Sequence, residues 1–426
     1  MAETFGEAVR RLRDACDGTS LRKLAKLAAI DPGHLSRIEN SKRPPSRQIA
    51  AALDQALGAD GALVNLAGCA TTDPPALAGD GWARADAEAL AGALLTEQPS
   101  TANALRLAHE WLVTDPPQVY EMRAGRRIGS AIVEQIGQRV HQLRLLDDHV
   151  GGLDTYKLVT DELNTTLELL RQAAYTEPVG RRLLAAIGEL CQLAGYVAVD
   201  AGRPREATRR YLTGVRAAHA GGELPGAANN LSSLAYLIAN TADPREGALM
   251  AASADCGARH EATATTRALL LERVAWTQAR AGEPAAVDRA LGRAEQVYSG
   301  RQPANDPIWV YWLTEDEIAI MAGRCWTQLH RPLRAVPILE EATQGYGEDT
   351  PRESALYLTW LAEAYLQANE VEQAAEVAMR ALELARHARS ERTTARLTEL
   401  RALFAPYRGV PVVDALEEAS GDRRGC

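Results

Sequence analysis

Apolar residues in the first seventy positions recur at helical spacing in short blocks, each closed by a stop signal. Phe5, Ala8, Val9 and Leu12 predict a helix from Phe5 to Cys16, ended by Asp17-Gly18. Ser20 is placed to cap a second helix whose inward face is Leu21, Leu24, Ala25 and Ala28. After a three-residue turn, Asp31 caps a third helix with Pro32 at its first position, where a missing N–H costs nothing. Leu35 and Ile38 bury that helix. Pro44-Pro45 breaks the chain, Ser46 caps a fourth helix running to Leu57, and Gly58 ends it. A fifth short helix is expected from Gly61 to about Gly68, and the stretch Thr71 to Asp80 has the composition of a linker.

Further on, one pattern repeats. Segments beginning at Leu193, Leu234, Val274, Met321 and Leu361 each read as a helix, a short Gly-, Asn- or Pro-bearing turn, and a second helix. Anchored on Ala207, Gly247, Val287, Ala335 and Ala374, they are spaced by 40, 40, 48 and 39 residues. Periods of this size belong to solenoids of helix hairpins, in which each unit buries its apolar face against its neighbours. The expected fold class is all-α: a five-helix N-terminal domain, then an α-solenoid. The expected boundaries are residues 1–70 for the first domain, 71–81 for the linker, 82–175 for a helical region of atypical repeats, 176–405 for the solenoid, and 406–426 for a C-terminal tail.

Composition agrees with helix. Apolar residues make up 46% and aromatic residues only 5%, and no alternating strand pattern stands out. The net charge is −9, but it is unevenly spread. Between Ser20 and Arg47, Arg22, Lys23, Lys26, Arg37, Lys42, Arg43 and Arg47 are opposed only by Asp31 and Glu39. That local surplus is suited to a polyanion, and the acidic remainder would repel one. No apolar run approaches the ~20 residues needed to cross a bilayer, and the start lacks the apolar core of a secretory signal. The six cysteines are scattered, with no paired spacing. These features predict a cytoplasmic protein with reduced thiols, no bound metal and no cofactor. The motifs of metalloproteases, phosphate-binding loops and serine hydrolases are absent, so no catalytic residue is assigned and no enzyme is expected. Asp147-Asp148-His149 reads as a solvated turn or cap.

The segment SLRKLAKLAAIDPGHLSRIENSKRPPS resembles the phage-repressor and Cro type of helix-turn-helix, also called the xenobiotic-response-element family. The resemblance covers about the first 68 residues and implies that the third helix enters the major groove of double-stranded DNA. It places Pro32, Gly33, Ser36 and Arg37 on base edges with His34 beside them, and Arg22, Lys42, Arg43 and Ser46 at phosphates. Arg37 is the best base reader, because a guanidinium pairs bidentately with guanine O6 and N7. Glu39 is expected to orient an arginine. Leu21 stands where the family often has Gln, Ala29 replaces the usual turn Gly, and Ser41 another Gly.

The later repeats resemble tetratricopeptide units, with small residues at the family's spacing of twelve: Gly195 and Ala207, Gly323 and Ala335, Ala362 and Ala374. As a whole, the chain looks like actinobacterial helix-turn-helix regulators with tetratricopeptide repeats, and more remotely like the peptide-receptor repressors of the quorum-sensing (RRNPP) class. In such repeats the first helix of each hairpin lines the inner surface. That register sets Asn229, Ser233, Tyr236, Asn240, Arg273, Trp276, Arg280, Arg324 and Trp360 along an open groove, a lining suited to a peptide or protein effector. A closed pocket would instead suit a small molecule. The chain could also be an interaction scaffold that binds no DNA, which the basic cluster argues against. A homodimer on an inverted-repeat site is expected.

Overall fold

The computed structural model describes residues 4–15, 19–28, 30–40, 45, 47–59, 61–64, 66, 100–113, 126–150, 152–347, 350–386 and 390–421. They are almost entirely helical. The chain divides into two units, Met1–Gly79 and Asp80–Cys426, each described by itself.

In the first unit, α1 (Phe5–Ala15), α2 (Leu21–Leu27), α3 (Pro32–Glu39) and α4 (Arg47–Leu57) follow the expected order. The Ser20 side chain accepts from the Lys23 amide, and Asp31 accepts from the His34 amide at 2.9 Å, so the anticipated caps of α2 and α3 form. Phe5, Val9, Leu24, Leu35, Ile38, Leu53 and Leu63 meet in one core. Of the expected fifth helix, residues 62–64 and 66 are described and helical. Its start is fixed by Asp54, whose two carboxylate oxygens accept from the Gly61 and Leu63 amides at 2.8 Å each. The bond from the Gly61 amide is the main reason the Asp54 pKa lies below its ordinary value. A lowered folded-state pKa means the contribution is complete above the ordinary aspartate range and is lost as pH falls through the folded value. Replacing Asp54 with alanine is expected to cost about 1–2 kcal/mol in this unit. Amide exchange across residues 47–66 should quicken at neutral pH and lose part of its acid dependence.

The second unit begins, among the described residues, with α5 (Thr101–Val113), α6 (Ser130–Val150) and α7 (Gly152–Gln172). A two-residue parallel pair, Arg126–Arg127 with Ala173–Ala174, ties the start of α6 to the end of α7. Five antiparallel hairpins follow: α8 (Glu177–Asp200) with α9 (Pro204–Gly221), α10 (Leu224–Thr241) with α11 (Pro244–Ala258), α12 (Ala264–Arg280) with α13 (Pro284–Ser299), α14 (Glu315–Gln328) with α15 (Pro332–Ala342), and α16 (Pro351–Gln367) with α17 (Val371–Ala385). Most of their turns share one chemistry. In four of the five, the first helix ends near a residue at positive φ, namely Gly202, Gly282, His330 or Asn369, and the second restarts two residues later, usually at proline; the turn between α10 and α11 passes through Ala242 and Asp243 at negative φ and restarts at Pro244. The four alanine and valine anchors are fully buried, and Gly195 shows why small residues face them. A Cβ there would lie 2.4 Å from the Tyr211 ring. The longer 48-residue spacing comes from the segment after Ser299, where Trp309, Val310 and Leu313 fold under the array against Leu269 and Ile318.

Two expectations are corrected here. The stretch from 406, read as a tail, carries α19 (Pro411–Gly421), whose Val413 and Leu416 are buried in the same core as Ala378 and Leu382. Asp147, read as part of a solvated turn, is 1% exposed; it accepts from Thr155 at 2.6 Å and pairs with Arg352 at 3.3 Å. That partner is 205 residues away in sequence, so no local pattern could reveal it. α8 alone among the described helices is long and apolar enough to cross a membrane, and it is a largely buried core helix.

Candidate functional site

The outward side of α3 is built by what sits behind it. Gly6 on α1 lets the two helices touch: a Cβ at Gly6 would lie 2.6 Å from the Ile38 carbonyl oxygen and 2.8 Å from that of Glu39. Arg10 then donates to the Glu39 carbonyl at 3.1 Å and to the Asn40 side chain at 2.8 Å. Arg13 donates to the buried Glu39 carboxylate at 2.8 Å. Glu39 therefore orients an arginine, as its sequence position suggested, and turns its charge away from the outer face. Asn40 closes the end of α3 by donating to the Ser36 carbonyl at 2.7 Å. Gly6, Arg10, Arg13 and Asn40 escaped the sequence reading. A glycine inside an otherwise good helix was the one available signal.

With the rear of α3 fixed, Pro32, Gly33 and Arg37 are exposed and His34 and Ser36 half-buried. Arg22, Lys23 and Lys26 on α2 are exposed too. Asp31 is committed to its cap and Glu39 to Arg13, so these cations face outward with little local opposition. Lys42, Arg43 and Ser46 lie outside the described residues, as does Ala29.

The inner face of the second unit differs from the open groove expected. Rungs join successive first helices. Trp276 Nε1 donates to Asn240 at 3.3 Å, Arg280 donates to Gln328 at 2.9 Å and to the Ala239 carbonyl, and Gln192 donates to Ser233 at 3.5 Å. Tyr236 and Trp276 stack with ring centroids 5.7 Å apart, and Trp360 meets Trp276 edge-on at 5.4 Å. Trp276 is 1% exposed, and Asn229, Arg324 and Trp360 are buried as well. Ser233, Tyr236, Arg273 and Arg280 are half-buried, and Asn240 is exposed.

The cover is α18 (Glu391–Phe404), which does not extend the hairpin array but crosses it. Ser390 donates to Asp200 at 2.6 Å, Arg392 donates to the Tyr196 hydroxyl at 3.3 Å, and Arg396 pairs with Glu363 while lying 3.8 Å over the Trp360 ring. α18 thus bridges the first helix of the first hairpin and that of the fifth. The groove expected to be open along its length is crossed by α18, and all the ladder residues but the exposed Asn240 border a largely buried polar interior. Glu272 belongs to that interior. Burial raises its pKa to about 8, which favours the neutral form.

Among the described residues no cluster of histidine, cysteine and carboxylate side chains is arranged to hold a metal ion. Residues 4–67 match the family described as a helix-turn-helix domain. No curated protein matches the chain. The first unit is a helix-turn-helix DNA-binding domain, and its match spans the caps, the turn and the outward face of α3 described above.

Proposed function

We propose that the chain is a cytoplasmic, sequence-specific transcriptional regulator whose second unit binds an effector that changes its grip on DNA. The observation that carries the first half is the outward face of α3, held from behind by Gly6, Arg10 and Arg13, inside a segment that matches a helix-turn-helix domain. On this reading Arg37 contacts base edges with Pro32, Gly33, His34 and Ser36 close by, while Arg22, Lys42, Arg43 and Ser46 contact phosphate. The hairpins are tetratricopeptide-like in their small-residue contacts and spacing.

For the effector, closure by α18 favours a compact ligand, either a small molecule or the end of a peptide chain, over an extended peptide laid along the whole array. Coupling follows if the ligand prefers one pitch of the array, because paired DNA-binding units then change their separation.

Selection of duplexes from a random pool by the full-length protein tests the function. A motif should emerge, arranged as an inverted repeat with half-sites about one helical turn apart. A pool that stays random after repeated rounds contradicts the reading. Light scattering should return a dimer on that duplex, about twice the 45.9 kDa chain, and a monomer both free and bound refutes the paired arrangement.

A further inference from the structure

Arg324 on α14 is 8% exposed and faces three rings, with its Cζ 4.8 Å from the Trp276 centroid, 5.3 Å from Trp360 and 5.8 Å from Tyr236. It donates to the Tyr236 hydroxyl. Among the described residues it has no carboxylate within ion-pairing distance. Arg273 lies over the Tyr236 ring at 5.1 Å and, among the described residues, likewise has no ion pair. Arg392 enters from α18, at 3.7 Å from Asp200.

The neighbouring carboxyls are engaged elsewhere. Asp200 also receives Ser390 and faces Arg352 at 3.8 Å. Glu317 accepts from the Tyr346 and Tyr357 hydroxyls. Burial pushes the Glu272 carboxyl up toward its neutral form. The Nε atoms of Arg324 and Arg392 and the Trp360 Nε1 are buried with no hydrogen-bond partner. Native interiors seldom leave charged donors in that state. The positive field is strong enough to show in Tyr236. Burial alone pushes its hydroxyl up, yet Arg324, Arg392 and Arg273 together bring it below the ordinary tyrosine value.

We propose that this cluster is an oxyanion site, in which Arg324 and Arg392 receive a carboxylate or phosphate group of the ligand, Arg273 stands at its edge, and Trp276 and Trp360 contact the ligand's apolar body. Guanidinium forks match both oxyanions bidentately, and the aromatic wall accepts a planar or aliphatic remainder. Because α18 supplies Arg392, the bound anion also fastens α18 to the array. The proposal rests on the regulator reading only in calling the ligand an effector.

Full-length protein, with no DNA present, provides the test. All seven tryptophans lie at or beyond Trp82, so their emission follows the second unit alone. Its unfolding is recorded in rising sodium acetate and in rising sodium phosphate, each against sodium chloride at equal ionic strength. One of the two anions should raise the midpoint saturably, by about 2 °C or more beyond chloride, and which one does so identifies the group. Amide exchange across residues 391–404 should slow with it. Arg324→Gln should abolish the response. Since Arg324 also packs against three rings, Arg273→Gln serves as the second variant; it should unfold near the wild-type temperature without anion and show a several-fold weaker response. Neither anion acting beyond chloride, or both variants responding like wild type, overturns the site. Such a result leaves DNA reading untouched, just as a failed motif selection leaves this titration untouched.

Discussion

Replacing Trp276 with alanine is expected to lower the stability of the second unit by about 3–5 kcal/mol. The indole is 1% exposed, stacks on Tyr236, meets Trp360 edge-on, carries Arg324 over its face, and donates to Asn240 from a neighbouring hairpin. Its removal leaves a cavity where four hairpins meet and strips one face from a buried guanidinium. Urea unfolding followed by the remaining tryptophans measures this. The sequence pattern alone suggests a different outcome, in which Trp276 paves an open groove and its loss spares folding while removing the response to effector. A change under about 1 kcal/mol would support that open groove and contradict the closed interior.

DNA binding should be strongly salt-dependent. Arg22, Lys23, Lys26 and Arg37 are exposed on one side of the first unit, with Asp31 and Glu39 tied up in a cap and an ion pair. A dimer that sets about six cations on phosphates releases as many counterions, and its affinity should fall about 10³-fold between 50 and 200 mM salt. The slope of log affinity against log salt reads the number directly. A slope near zero excludes the basic face as the DNA contact.

The contrast between these two regions explains what could be read in the chain itself. Ser20, Asp31 and Pro32 act within three or four residues of their partners, so the order and bounds of α1 to α4 were legible, as was the inward turn of Glu39. The hairpins were legible for the same reason: Gly195 against Tyr211 and the fully buried Ala207, Ala335 and Ala374 are contacts between sequence neighbours. The closure was not. Arg352 meets Asp147 and Ser390 meets Asp200 across 205 and 190 residues, and each of those residues taken singly looks like an ordinary surface charge or cap. Seen without its cover, the inner ladder reads as an open groove. Once α18 lies across it, the same residues become a half-satisfied polar interior. Gly6 belongs to a third class. It was visible as a glycine inside a helix, but its meaning depends on the carbonyls of Ile38 and Glu39, which α3 brings to it.

The central claim, that the exposed face of α3 reads base sequence, is tested most directly at Arg37. Binding isotherms are measured at one salt concentration for wild type and Arg37→Ala, on a selected duplex and on a scrambled one of equal length. The account predicts that the variant loses about 1–3 kcal/mol on the selected duplex, roughly 10- to 100-fold, and much less on the scrambled one. Equal losses on both would make Arg37 a phosphate contact and contradict the assignment of base reading to this face.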